Sequence, residues 1–161
     1  MKLLRRLRNN MPDFNPANPG DLVYPKYAVV TTEPISAALQ INKGRLYEAD
    51  ASANLIAATD LSNGFFQAMV TPPAVSGAAG ADLVQVAGPR TRMMFTTQTA
   101  NLKVGEDVIY VVSTTDIIGG SKTSVLYVGK IFEIYNLASD NISQKYLTAV
   151  GDKVIVETVQ A

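Results

Sequence analysis

From Tyr27 onward the chain breaks into short apolar runs: YAVVTT, RLYEAD, NLIAAT, FFQAMV, LVQVA, DVIYVVS, TSVLYVG, KIFEIY and KVIVETV. Val, Ile, Tyr, Phe and Thr suit a pleated, half-buried surface, and turn residues separate one run from the next. Asn63-Gly64, within SNGF, predicts a tight hairpin turn. IIGGSK (117–122) predicts another reversal, and VSGAAGAD (75–82) a loop. No long helical period intervenes. Short helices are expected only near 59–63 and at 138–147, where Ser139 or Asp140 would cap one. The predicted fold is all-β: residues 27–161 form one small barrel or sandwich of short strands, with at most one or two short helices.

One local form recurs. Val104-Gly105-Glu106-Asp107 leads into Val108-Ile109, Val150-Gly151-Asp152-Lys153 leads into Val154-Ile155, and Asn42-Lys43-Gly44-Arg45 is a looser third copy. Each reads as a turn followed at once by a strand, with the glycine taking a positive φ that a Cβ would disfavour. The charged pair after the glycine is expected to stay in solvent. Glycines at 44, 105 and 151 are too unevenly spaced for a solenoid, so the form is one turn solution reused in one body.

Residues 1–26 have a different texture. Five of the eight prolines (Pro12, Pro16, Pro19, Pro25, Pro34) fall within the first 34 positions, and MPDFNPANPGDLVYP excludes a helix or an internal strand. Leu3, Leu4 and Leu7 share one face of a two-turn helix ahead of it. The expected organisation is an extended arm over 1–26 on a body over 27–161. Extended, 26 residues reach on the order of 80 Å, against a body about 35–40 Å across. Nothing in the arm promises a fixed shape in isolation, so it is expected to order on a partner. The candidate partner contacts are Leu3, Leu4, Arg5, Arg6, Leu7, Arg8, Phe14 and Tyr24.

Charge sharpens this division. Net charge is zero, but residues 1–30 carry five cations against two acids, +3, and the rest nine against twelve, −3. The first ten residues hold four cations and no acid, the mark of an arm that meets something acidic. Arg5, Arg6 and Arg8 interrupt the place where a signal peptide needs its apolar segment, so the opening is expected to be retained and the protein soluble. No apolar run approaches the roughly 20 residues of a membrane span.

Candidate chemistry is sparse. With no Cys there are no disulfides or thiolate sites, and with no His the commonest acid–base group and metal ligand are missing. No phosphate-cradling or nucleophile-elbow motif occurs. Gly77-Ala78-Ala79-Gly80 reads as a loop, and Ser121-Lys122, beside two glycines, as a solvated turn. Asp107 with Asp116, or Asp50 with Asp60, would meet only through the tertiary fold. Asn141-Ile142-Ser143 is a sequon that matters only on a secreted protein. PRTRMMFTTQT (89–99) sets two arginines beside Met93, Met94 and Phe95, but the acidic body around it argues against nucleic acid and for strand core with an Arg-bearing edge. No catalytic, cofactor or metal residues are predicted, and no enzyme.

The stretch VLYVGKIFEIYNLASDNISQKYLTAVGDKVIVETVQA (125–161) resembles the closing segment of small head-decoration, or cement, proteins of tailed bacteriophages. INKGRLYEADASANLIAATD (41–60) is similar to a strand–loop–strand those proteins carry nearer the start. The resemblance implies a virion structural protein on the capsid exterior, made in the host cytoplasm, binding the major capsid protein. It also implies a homo-oligomer, by family habit a trimer. The alternatives are another phage component of tail or neck, or a carbohydrate- or peptide-binding β-module. Such a module predicts an aromatic cleft around Tyr47, Tyr110, Tyr127 or Tyr135.

Overall fold

Ten strands and no helix make up the regular structure of the described residues; the computed structural model describes residues 18–23, 29–37, 39–73, 78–135 and 145–159. Strands β1 (Val30–Pro34), β2 (Leu46–Ala49), β3 (Leu55–Ala57), β4 (Phe66–Ala68) and β5 (Leu83–Ala87) form an antiparallel sheet in the order β1-β5-β4-β2-β3. Ile35 bridges Leu55 just past β1, so the two edges of this sheet meet at one end. Strands β6 (Arg92–Thr97), β7 (Asp107–Tyr110), β8 (Asp116–Gly119), β9 (Tyr127–Tyr135) and β10 (Lys153–Thr158) close a barrel in the order β10-β6-β8-β7-β9. The protein is all-β.

The long strand β9 makes closure of the barrel feasible. Against β7 the register skips Val128, and against β10 it skips Phe132. Two bulges on one strand bend it enough to serve both neighbours. Between them sits Gly129, φ +155°, where an added Cβ would lie 2.1 Å from the Glu157 carbonyl oxygen. Only a residue without a side chain permits that approach.

The largest core fills the barrel with Met93, Phe95, Val108, Tyr110, Ile117, Ile134, Val154 and Val156, and it extends to Leu46, Ala58, Leu61, Phe65 and Ala87 of the first sheet. A second core lies within that sheet, around Ile35, Ile41, Tyr47, Leu55, Val84 and Val86. Residues 58–65 therefore join the two units. They do not form the predicted tight hairpin: β3 and β4 both pair with β2 rather than with each other, and the connection drives Ala58, Leu61 and Phe65 into the barrel core. Asn63-Gly64 does turn the chain, with the Gly64 N–H donating to the Leu61 carbonyl at 3.2 Å. The helix expected near 59–63 is replaced by this turn, and most of the 138–147 segment lies outside the described residues.

Two further expectations change. Ile117-Ile118-Gly119 belongs to β8 and is not a reversal. Its glycines serve close packing, since a Cβ on Gly119 would come 2.9 Å from Leu102 Cδ2 and one on Gly120 2.7 Å from Ile109 Cγ2. The reversal falls later, at 122–126, so the run read as TSVLYVG contributes only its last residues to a strand continuous with KIFEIY.

A thermodynamic contrast follows. Gly129→Ala should cost roughly 3 kcal/mol or more, because backbone strain and a clash with Glu157 act together. Gly105→Ala, at φ +91° but with open space around the missing Cβ, should cost about 1–2 kcal/mol. Chemical denaturation of the two variants measures both.

Candidate interaction surface

Leu3, Leu4, Arg5, Arg6, Leu7, Arg8, Phe14 and Tyr24 lie outside the described residues. Of the expected 1–26 arm, residues 18–23 are described, and they lie on the body of the same chain. Asn18-Pro19-Gly20-Asp21 is a fourth copy of the recurring turn, which the sequence reading missed. Counted from two residues before each glycine, the turns are 18–21, 42–45, 103–106 and 149–152, and in all four the fourth residue's N–H donates to the first residue's carbonyl, at 2.9 Å from Asp21, 3.2 Å from Arg45, 3.2 Å from Glu106 and 3.1 Å from Asp152. The third residue is a glycine at φ +92°, +87°, +91° and +91° respectively, and the second never has a positive φ, as a type II turn requires.

In three copies the closing acid adds a lock. The Asp21, Glu106 and Asp152 carboxylates accept the N–H groups of Asn18, Lys103 and Ala149 at 2.6, 2.6 and 2.7 Å. Asp152, expected in solvent, is buried, because it also accepts from Lys145 Nζ at 2.5 Å. Where the third copy has Arg45, this lock is absent.

The first two turns stack on each other. A Cβ on Gly44 would lie 2.6 Å from Pro19 Cβ, and one on Gly20 2.6 Å from the Ala68 carbonyl oxygen. Asp21 pairs with Lys43, and Asn18 Oδ1 accepts from Lys153 Nζ at 3.2 Å. Val23 is buried among Met94, Tyr135 and Ile155, with Phe132 beside them. This cluster lies on the opposite face of β6 and β10 from the barrel core: Met94 pairs with Ile155, flanked by the inward pairs Phe95–Val154 and Met93–Val156. Arg92 stacks its guanidinium 3.8 Å from the Phe132 ring centroid on the same outer side. The Met93–Phe95 stretch is strand core, as the sequence suggested, although β6 is flanked by strands on both sides and is not an edge.

The barrel end beside this strap is apolar and open. Thr148 ties two segments together: its N–H donates to Leu102 O at 3.0 Å, its carbonyl accepts from Asn101 N–H at 2.7 Å, and its Oγ1 donates to Thr99 O at 2.7 Å. From these joined segments project Val104, Tyr146, Leu147 and Val150, exposed by 55%, 93%, 43% and 66%. Large apolar side chains concentrated on neighbouring turns mark a surface that something covers.

The remaining polar groups act as structural fasteners. Asp50 and Asp60 each accept nearby backbone N–H groups, and Asp116 accepts from Gln98. Ser121 shares a hydrogen bond with Thr123 in its turn. Among the described residues no cluster of acids suits a metal, and no buried side-chain polar atom lacks a partner. Tyr47, Tyr110 and Tyr135 are largely buried; Tyr47 and Tyr110 both line a small cavity of about 150 Å³ with Arg45, Ala57 and Ser113, whereas Tyr135 packs in the Val23 cluster, and burial raises the Tyr47 and Tyr110 phenols above their ordinary value. Tyr127 donates to Asp107 Oδ1 at 2.7 Å, and Lys130 donates to the same oxygen at 2.9 Å. Lys130, then Tyr127, holds the Asp107 carboxyl below its usual range. Burial, then Asp107, pushes the Tyr127 phenol up to about 12.

Two predictions test these contacts. Val23→Ala should lose about 1.5–3 kcal/mol, and Gly44→Ala should cost more than Gly105→Ala because Pro19 must move; denaturation midpoints report both. Asp107→Asn should lower the Tyr127 phenol from about 12 while leaving it above its ordinary value, since burial is the larger cause. Ultraviolet titration beside Tyr127→Phe isolates that group. A phenol raised on folding adds stability below its unfolded pKa that is lost as pH rises through about 12, so Tyr127→Phe should also flatten the alkaline fall in stability.

Compared with protein-family models, curated proteins and solved structures, this chain matches none.

Proposed function

We propose that this protein is a virion structural protein that decorates a bacteriophage head, its β body seated on the major capsid lattice and the segment 1–17 gripping a neighbouring subunit. The resemblance of 125–161 to head-decoration proteins supplies the class. The observation that supports it most is mechanical: a segment carrying four of the chain's cations is fastened to the body at 18–23 and departs beside an exposed apolar end. A decorating protein needs such a division, with a body that keeps its shape and a basic, apolar-studded segment that finds an acidic lattice. A carbohydrate- or peptide-binding module is the second reading, resting on Tyr47 and Tyr110 in the lining of one small cavity. On the lattice the protein acts as a homo-oligomer, with copies related by the symmetry of the site they occupy.

Co-sedimentation with empty heads, assembled from a major capsid protein encoded beside this chain, tests the reading. The intact protein should pellet with the heads. Removal of residues 1–17 should weaken binding at least tenfold, about 1.4 kcal/mol, and leave the melting of the body unchanged. Removal of 1–26 should destabilise the body as well, because it takes Val23 away from Met94 and Ile155. Failure of the intact chain to pellet, or undiminished pelleting without 1–17, would overturn the proposal.

A further inference from the structure

The turn at 42–45 departs from the other three, and the departure frees a cation. In those three the closing acid accepts the N–H of the turn's first residue. At Asn42 that N–H is accepted by the Tyr47 hydroxyl instead, at 2.8 Å. Arg45 stands where the acid would be and is left with no fastening role. Its guanidinium makes no hydrogen bond or ion pair with any described residue. Burial raises the Tyr47 and Tyr110 phenols and the Arg45 charge pulls both back, so the guanidinium lies near the two rings.

Arg45, Tyr47, Tyr110 and Ser113 line one cavity of about 150 Å³, whose remaining wall includes Leu39 and Ala57. Arg45 is the one charged residue in that lining. The Tyr110 hydroxyl is already engaged in both directions: it accepts from Leu46 N–H at 3.2 Å and donates to the Thr114 carbonyl at 2.8 Å. The Tyr47 hydroxyl accepts from Asn42, but its own proton has no acceptor among the described residues, and the Ser113 hydroxyl has no partner there either. Three uncommitted donors, one of them a cation, beside an apolar wall suit an anion on a short aliphatic stem. A single guanidinium matches a planar carboxylate through its two-pronged fork, whereas a phosphate dianion would keep charge uncompensated. The volume holds roughly five waters and falls below the about 300 Å³ at which drug-sized sites begin. It therefore admits one acidic group and excludes a sugar chain.

We propose that this cavity binds a carboxylate on a short aliphatic stem, with Arg45 holding both oxygens, the Tyr47 and Ser113 hydroxyls donating beside it and the stem against Leu39 and Ala57. The carboxylate belongs either to a free short-chain acid or to a glutamate side chain of a partner. The inference shares its cavity with the second reading but not its sugar chemistry, and its failure leaves the capsid reading, tested by pelleting, untouched.

Methyl NMR of the intact chain tests this with three probes at constant ionic strength: butyrate, butyramide and a doubly blocked glutamate. Butyrate should shift the Leu39 and Ala57 methyl signals saturably and leave Leu83, exposed on the first sheet, in place. Butyramide has the same shape without the charge and should bind at least tenfold more weakly, about 1.4 kcal/mol. Arg45→Gln should weaken butyrate by a similar factor without moving the melting temperature, because the Arg45 side chain is tied to nothing in the fold. Tighter binding of the blocked glutamate than of butyrate assigns the carboxylate to a partner chain, and the reverse order assigns it to a free acid; both support the site. Three outcomes would overturn it: no saturable shift with either carboxylate, equal binding of butyramide, or undiminished butyrate binding in Arg45→Gln.

Discussion

Strands β6 and β10 are apolar on both faces, and much of the molecule answers the need to cover the second face. Inside the barrel, Met93, Phe95, Val154 and Val156 are sealed by the other strands. Outside, Met94 and Ile155 would meet water were it not for Val23, Tyr135 and Phe132. A β-strand can hide only alternate residues from one core, so an uninterrupted Met-Met-Phe or Val-Ile-Val requires a second layer. Here that layer is partly a piece of irregular chain, residues 18–23. Burying one valine there stabilises by roughly 1.5–3 kcal/mol, and a salt bridge and a stacked pair of turns hold the strap in register.

The fold was readable because its signals are local. Gly44, Gly105 and Gly151 read as turn glycines from their charged neighbours and the strand runs behind them, β-branched at their start only after Gly105 and Gly151, and all three have φ near +90°. Gly20 takes the same conformation but escaped notice, because the surrounding prolines suggested continuous extended chain. Pro19 in fact occupies the second position of a type II turn, which its fixed φ favours. The same pattern supported two opposite interpretations, and the deciding fact was a tertiary contact, Pro19 against Gly44. Gly119 and Gly120 misled for a related reason. Sequence cannot distinguish a glycine that turns the chain from one that makes room for Leu102 or Ile109.

The candidate surface was less legible. Its four exposed apolar residues belong to two segments that Thr148 ties together, more than forty positions from its partners at Thr99 and Leu102. No periodicity encodes such a patch. Nor could sequence show that the expected arm has two parts, since Val23 looks no different from Leu22, and only the fold buries the first while leaving the second 37% exposed.

That division alters what the remaining segment can do. A chain tethered only at residue 27 would search a large volume, and each anchoring residue would incur the full entropic cost of its own ordering. Fastened at Asp21 and Val23, the segment starts from a defined point beside the barrel end, and its first contact becomes an intramolecular event with a high effective concentration. Each further residue immobilised shortens the free length ahead of it. A type II turn closed by its own aspartate is a suitable fastener for this purpose. It closes its own hydrogen bonds within four residues, so it can sit on the surface without a strand to pair with.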